Sequence, residues 1–255
     1  MQNKLEPLYR NIVNLIKKTK APAFAVFDFD NTCIINDIAE ATLAYLATNN
    51  LFRDGKLLKD KFENYPKAVF ENYYKLLDDE KIKEAYKFIS KILSGFSVGE
   101  INSLVDEVIK FEGEDIKKVE LFGRKINKGI KPREQIAELV NFLKNNGVAI
   151  WIVSASPEIL VRQAMKHFNI KANLIGVRNT IIDGKITAEP ENPLPMFEGK
   201  VECIKKFIDK EKRPLLGVGD SINDLPMMEH CEIKAVIDRQ NSLTEKAKQN
   251  GWFLI

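Results

Sequence analysis

The stretch AVFDFDNT, residues 25–32, ends an apolar run in two carboxylates one residue apart, Asp28 and Asp30. Two such acids repel each other unless a cation lies close by, so the rest of a site must come from elsewhere in the chain. AFAVFD (23–28) reads as a strand buried on both faces, the pattern of a parallel sheet. VAIWIVS (148–154) and PLLGVGD (214–220) repeat it, and each also ends on a polar residue, Ser154 and Asp220. Helical periodicity precedes both, over Glu134–Asn145 and Lys200–Lys210, and a weaker strand follows at IKAVID (233–238). Alternating strands and helices predict an open parallel α/β sheet. Ligands in such sheets bind beyond the carboxyl ends of the strands, so the three polar strand ends are expected to meet in one place.

The bulk of the chain narrows the partners. Its 255 residues suit one large domain or a core with a smaller companion. With 39 Lys and Arg against 36 acids, the formal charge of +3 is too balanced to argue for nucleic acid or an anionic membrane surface. Cys33, Cys203 and Cys231 show no CxxC spacing and read as free or buried thiols. The first residues, MQNKLEPLYRNIVNLIKK, contain no apolar run of signal-peptide length. They read as a short amphipathic helix with Leu8, Ile12 and Ile16 on one face. No stretch approaches the length of a transmembrane helix. The expectation is a soluble cytoplasmic protein without nucleic-acid or membrane partners.

Between residues 37 and 131 the pattern is helical, with no convincing strand. DIAEATLAYLA, KAVFENYYKLL, EAYKFISKIL and VGEINSLVDEVIKF all have the 3.6-residue period. This stretch is a helical insert after the first strand, and it holds 12 of the 23 aromatic residues. The division expected is therefore a core of residues 1–36 and 132–255 with a second unit of 37–131. RNTIIDGKITAE (178–189) reads as a hairpin turning at its DG pair.

Four pieces then call for one chemistry: Asp28 and Asp30, Ser154, Lys200 at a helix start in FEGKVECIKKF, and Asp220, Ser221, Asn223 and Asp224 in GVGDSINDLPMM. Carboxylates without His or Cys suit a hard cation such as Mg²⁺, which would also relieve the repulsion between the acids. Lys and Ser at neighbouring strand ends suit phosphate oxygens, as do the N–H groups after Ser154, where a helix is expected to start. His167 and His230 fall in or near helices and read as incidental.

These pieces resemble the haloacid dehalogenase superfamily of phosphohydrolases, in particular its phosphoserine-phosphatase-like branch. The resemblance runs from residue 23 to about 238 and rests on DxDxT and GDxxND in this order. It implies a Rossmann-like core, with the insert at the position of that branch's helical cap. It also implies a small phosphorylated metabolite as substrate and an aspartyl-phosphate formed on Asp28. Asp30 would be the acid and base, with its carbonyl on the metal. Ser154 and Lys200 would hold the phosphoryl oxygens and Asn223 touch the phosphate. Asp28 and Asp220 would bind Mg²⁺, and Asp224 would act through a metal-bound water and orient Lys200. The chain departs from the branch at Asn31, where Gly or Ser is frequent, and at SAS (154–156), where SGG is common.

Other readings stay beside this one. An Asp-phosphorylated receiver-like switch would use similar groups, but it lacks the acid/base at Asp30 and an insert to close over a substrate. Asp37 stands where an acid would face a substrate amine, and it equally suits a helix N-cap. Phe70, Tyr73, Tyr74 and Leu77 have helix-core spacing, with a cation cage as the alternative. A phosphoserine carboxylate would call for Arg, and the insert offers only Arg53 and Arg124. Phosphocholine or phosphoethanolamine would suit Asp37 and the aromatics better.

Overall fold

Strand β1 (Phe24–Phe27) is buried along its whole length, as four consecutive apolar residues require in the middle of a layered sheet. The structure, a computed structural model, describes residues 5–18 and 22–255. Helix α1 (Glu6–Lys18) precedes β1 and buries Leu8 and Ile12, with Ile16 half-buried on the same face. Met1–Lys4, part of the N-terminal reading, lie outside the described residues.

After β1 come β2 (Ile34–Ile35) and helices α2 (Ile38–Asn49), α3 (Tyr65–Asp78), α4 (Ile82–Lys91) and α5 (Val98–Glu112). A hairpin of β3 (Lys117–Leu121) and β4 (Arg124–Lys128) follows, then β5 (Lys131–Pro132). β2 and β5 pair antiparallel, with Ile34 opposite Pro132, so the two ends of this long excursion leave the sheet side by side. The hairpin corrects the expectation of a stretch without strands. Its turn uses Phe122 at φ 51° and Gly123 at φ 80°, so a bulky residue in the left-handed region stands where Asn or Asp would normally announce the turn.

The chain then alternates: α6 (Glu134–Asn145), β6 (Ala149–Pro157), α7 (Glu158–His167) and β7 (Asn173–Val177). The second hairpin, β8 (Asn179–Ile182) and β9 (Lys185–Pro190), turns at Asp183 and Gly184 as the DG pair predicts. Next come α8 (Glu198–Phe207), β10 (Leu216–Gly219), a 3₁₀ turn over Ile222–Asp224 and α9 (Leu225–Glu229). β11 (Ile233–Val236), α10 (Ser242–Gln249) and β12 (Phe253–Leu254) complete the fold.

Six strands form one parallel sheet in the order β12-β11-β10-β1-β6-β7. This is the open, Rossmann-like α/β sheet expected from the sequence. The chain winds outward from β1 through β6 to β7, then crosses to β10 on the other side. β1 is therefore the point where strand order reverses, and a crevice opens beyond its carboxyl end. Phe27, the last residue of β1, stands opposite Val218 on one neighbour and Ile152 on the other. That register sets Asp28 beside Asp220 and Ser154.

Candidate active site

Asp28, Asp30, Ser154, Asn223 and Asp220 all line one cavity of about 250 Å³ at the carboxyl end of the sheet. Lys200 lies beneath it, fully buried. It donates to Asp28 Oδ1 and to Asp224 Oδ1, both at 2.6 Å. Burial by itself would lower the Lys200 ammonium, but Asp224 and Asp28 outweigh it and hold the group protonated well beyond its ordinary range.

Two glycines make this closeness possible. A Cβ on Gly199 would sit 1.9 Å from the Leu194 carbonyl oxygen, so only glycine lets α8 start here and deliver Lys200 one residue later. A Cβ on Gly219 would sit 2.6 Å from the Asp224 Cβ. Through that gap Asp224 Oδ2 accepts from the Asp220 and Ser221 N–H groups at 3.0 and 3.2 Å.

Asp28 Oδ2 has no hydrogen-bond partner among the described residues, while its backbone carbonyl accepts from the buried Cys33 thiol at 3.1 Å. Burial pushes the Asp28 carboxyl well up, with Lys200 opposing and Asp224 and Asp220 adding to the rise. Asp30 is raised by burial and then by Asp37 and Asp28. Its Oδ1 accepts from Ile38 N–H at 2.8 Å and its Oδ2 from the Ser156 hydroxyl at 2.7 Å. Ser156 was a mere departure in the sequence; its hydroxyl is what aims Asp30. Asn31 likewise has a reason: at φ 58° it sits in the left-handed region that Gly and Asn tolerate best.

β6 continues past Ser154 to Pro157, and its pairing with β7 slips between Val153 and Pro157. Such a bulge re-aims side chains at the end of a strand. The expected helix start directly after Ser154 is therefore corrected: α7 begins at Glu158, and Ser154 Oγ accepts from Ser156 N–H at 3.1 Å. Asn223 Oδ1 accepts from Phe197 N–H at 2.8 Å and ties down the turn before α8, where Phe197 stands at φ 50°.

Asp28, Asp220 and Asp224 each bring a carboxylate oxygen within 4.8 Å of the others, all buried. An all-oxygen, multiply acidic set with one lysine fits a hard divalent cation. Asp224 offers least, because its Oδ1 faces Lys200 and its Oδ2 faces two amides. Burial, then Asp224, pushes Asp220 up to about 6, against the pull of Arg239.

Asp37 takes the N-cap role that the sequence left open, and the cavity reaches it as well. It caps α2, with Oδ1 accepting from Ala39 and Glu40 N–H at 2.8 and 2.9 Å, and it lines the cavity. Glu40, one turn on, lines it too and accepts from the Tyr73 hydroxyl at 3.1 Å. Burial, then the Asp37 charge, pushes Glu40 up to about 7. Tyr73, Leu77, Tyr86 and Asn127 complete that side. Phe70 and Tyr74 pack against each other instead, 4.8 Å between centroids. Arg53 pairs with Glu100, and Arg124 with Asp78 at 2.7 Å, stacked on Tyr74; neither lines the cavity. Glu40, Tyr86, Ser156 and Arg239 escaped sequence reasoning. Only Glu40 carried a signal, its place one helical turn from Asp37.

Residues 25–229 match the haloacid dehalogenase-like hydrolase family. The chain belongs to that family. This hydrolase is 28% identical over 241 residues to the phosphorylcholine phosphatase of Pseudomonas aeruginosa, covering 78% of this chain and 68% of that one. It is 29% identical over 177 residues to the phosphoserine phosphatase of Methanocaldococcus jannaschii, covering 66% and 82%. A crystal structure of a protein of unknown function from Anaerococcus prevotii superposes with a TM-score of 0.73 at 24% identity, over 98% of this chain and 91% of the other. The hydrolase thus stands among phosphatases. Among its described residues, no helix is long and apolar enough to cross a membrane.

Proposed function

We propose that the chain is a Mg²⁺-dependent phosphomonoester hydrolase that acts on a small phosphorylated amine through an aspartyl-phosphate. The observation that carries the amine is the pair Asp37 and Glu40 lining one cavity with Asp28 and Asp30, flanked by Tyr73 and Tyr86. Carboxylates and ring faces suit an ammonium, and no insert arginine reaches the cavity to meet a carboxylate. The volume sits just below the roughly 300–1,000 Å³ usual for drug-sized ligands, which supports a small ester. The relative named a phosphorylcholine phosphatase supports the same class.

Asp28 Oδ2 attacks phosphorus, the phosphorus–ester oxygen bond breaks, and Asp30 gives the leaving oxygen its proton. Water then attacks phosphorus, the bond from phosphorus to the Asp28 oxygen breaks to restore the carboxylate, Asp30 takes a proton from that water, and inorganic phosphate leaves. Ser154 and Lys200 hold phosphoryl oxygens, with Asn223 beside them. Asp28, the Asp30 carbonyl and Asp220 would hold Mg²⁺, with Asp224 behind them; the bound ion would offset phosphoryl charge and the repulsion among the acids. Residues 37–131 act as a cap over the core of 1–36 and 132–255, since Glu40, Tyr73, Tyr86 and Asn127 come from that segment. The three buried, unpaired thiols support a reducing compartment such as the cytoplasm. A receiver-like switch is disfavoured by this enclosed substrate side and by the oriented Asp30.

Phosphate release from phosphocholine, phosphoethanolamine, phosphoserine and glycerol phosphate tests the reading. Phosphocholine and phosphoethanolamine, which carry an ammonium without a carboxylate, are expected to lead in kcat/KM, exhaustive chelation to stop all turnover, and Mg²⁺ to restore it. Activity that survives chelation would contradict the metal site, and glycerol phosphate matching the amines would contradict the amine side.

The pH profile supplies a second check. Glu40 is raised to about 7, so it is protonated below that pH and charged above it. An ammonium binds the charged form. kcat/KM for an amine ester is therefore expected to climb as pH rises through about 7, beyond any rise seen with glycerol phosphate. Glu40→Gln should remove that extra climb and lower kcat/KM for the amine by about ten- to a hundredfold. Parallel profiles for both substrates would put Glu40 outside the recognition site.

A further inference from the structure

Arg239 is the one cationic side chain among the described residues lining the cavity, surrounded there by Asp28, Asp30, Asp37, Glu40 and Asp220. It reaches in from the loop after β11. Parallel pairing of Gly219 with Val236 sets that loop alongside Asp220. Its Nη1 donates to Asp220 Oδ2 at 2.6 Å, while the Thr32 hydroxyl approaches Oδ1 at 3.3 Å.

The loop does not depend on this contact for its position. Arg239 N–H donates to the buried Thr244 hydroxyl at 3.2 Å, and Asn241 Nδ2 donates to the Asp220 carbonyl at 2.8 Å. Asn241 also caps α10 through Thr244 N–H. The backbone is fixed, whereas the Arg239 side chain remains 38% exposed at the cavity. A fixed backbone carrying a part-exposed guanidinium held by a single carboxylate suits a group that changes partners.

Building on the phosphatase reading above, we infer that Arg239 is a substrate-binding residue that exchanges Asp220 for the phosphoryl oxygens of the substrate when a divalent cation takes the carboxylate. Guanidinium and divalent cation compete for Asp220. A phosphate dianion entering a cavity lined by acids gains from a planar fork of donors that matches two of its oxygens. Cation and phosphate therefore favour each other's binding, and that coupling is reciprocal.

Titration calorimetry of Mg²⁺ alone, and of inorganic phosphate with Mg²⁺ present, tests the exchange without any turnover. Arg239→Gln is expected to tighten Mg²⁺ binding by about three- to tenfold, because a part-exposed competitor for the buried Asp220 carboxylate is gone. The same variant should weaken phosphate by about ten- to a hundredfold. Arg239→Lys keeps the charge without the fork and should fall between wild type and Arg239→Gln for phosphate. A thermal melt of each variant establishes that it is folded. Weaker Mg²⁺ binding in Arg239→Gln would mean that the arginine only holds Asp220 in place, and unchanged phosphate affinity would mean that it never meets substrate; either overturns the exchange. A wild-type protein that binds no phosphate with Mg²⁺ would instead overturn the phosphatase reading on which the exchange rests.

Discussion

Asp28→Asn is expected to lower phosphate release from every substrate by at least about 10⁴-fold, roughly 5 kcal/mol of activation free energy. An amide cannot attack phosphorus, and no neighbouring group replaces it. Asp30 has both oxygens engaged by Ile38 and Ser156, Asp224 is enclosed by Lys200 and two amides, and Asp220 faces Arg239. The fold should survive the change. Asn keeps an oxygen for the Lys200 ammonium, and Lys200 keeps Asp224 at 2.6 Å. Removing one of several crowded acids also relieves repulsion, so a melt in chelator should show a Tm equal to or above that of the parent. Residual activity above a tenth of wild type would rule out a covalent role for Asp28. A collapsed Tm would show that its charge is needed for the fold.

Much of this arrangement was legible because parallel strands advertise themselves. β1, β6 and β10 are apolar runs with polar ends, and their shared register makes those ends neighbours without further information. α6 came out at Glu134–Asn145 from periodicity alone. The hairpin at residues 117–128 stayed hidden for a local reason. KKVELFGRKINK alternates, but its outward face is heavily charged and Phe122 occupies the left-handed turn position. β7 was missed for brevity: NLIGV is a short apolar run between a helical pattern and the hairpin at 178–189. The absent site residues are a different case. Ser156 reaches Asp30 across 126 residues, and Arg239 reaches Asp220 from a neighbouring strand's loop. No spacing rule encodes those meetings; they follow from β6 bulging and from β10 lying beside β11. The family's core pattern could be read in the sequence because it sits on strand ends, whereas the side lined by Glu40, Tyr73 and Tyr86 depends on helices that the fold alone brings over the cavity.

Asp30→Asn separates a chemical role from a positional one, and its outcome depends on the leaving group. The substitution is well tolerated sterically. An Asn oxygen can still accept from Ile38 N–H, its NH₂ can donate to Ser156 Oγ, and the Ser156 hydroxyl reverses its role to suit. What disappears is the proton. Losing general acid and base help typically costs about 10² to 10⁴ in rate, and an alkyl phosphate should lose that much because its alkoxide leaves poorly. An activated aryl ester such as p-nitrophenyl phosphate leaves without a proton, so the first step should be nearly intact. Asp30 is needed again to take a proton from the attacking water, however, and that second step is common to both substrates. The variant should therefore release p-nitrophenol in a burst of about one equivalent per active site and then slow, with the enzyme held as aspartyl-phosphate. Stopped-flow absorbance reads the burst directly. Equal losses on alkyl and aryl esters, with no burst, would mean that Asp30 only positions its neighbours. The raised Asp30 carboxyl would then reflect burial beside Asp37 and Asp28 and have no part in the reaction.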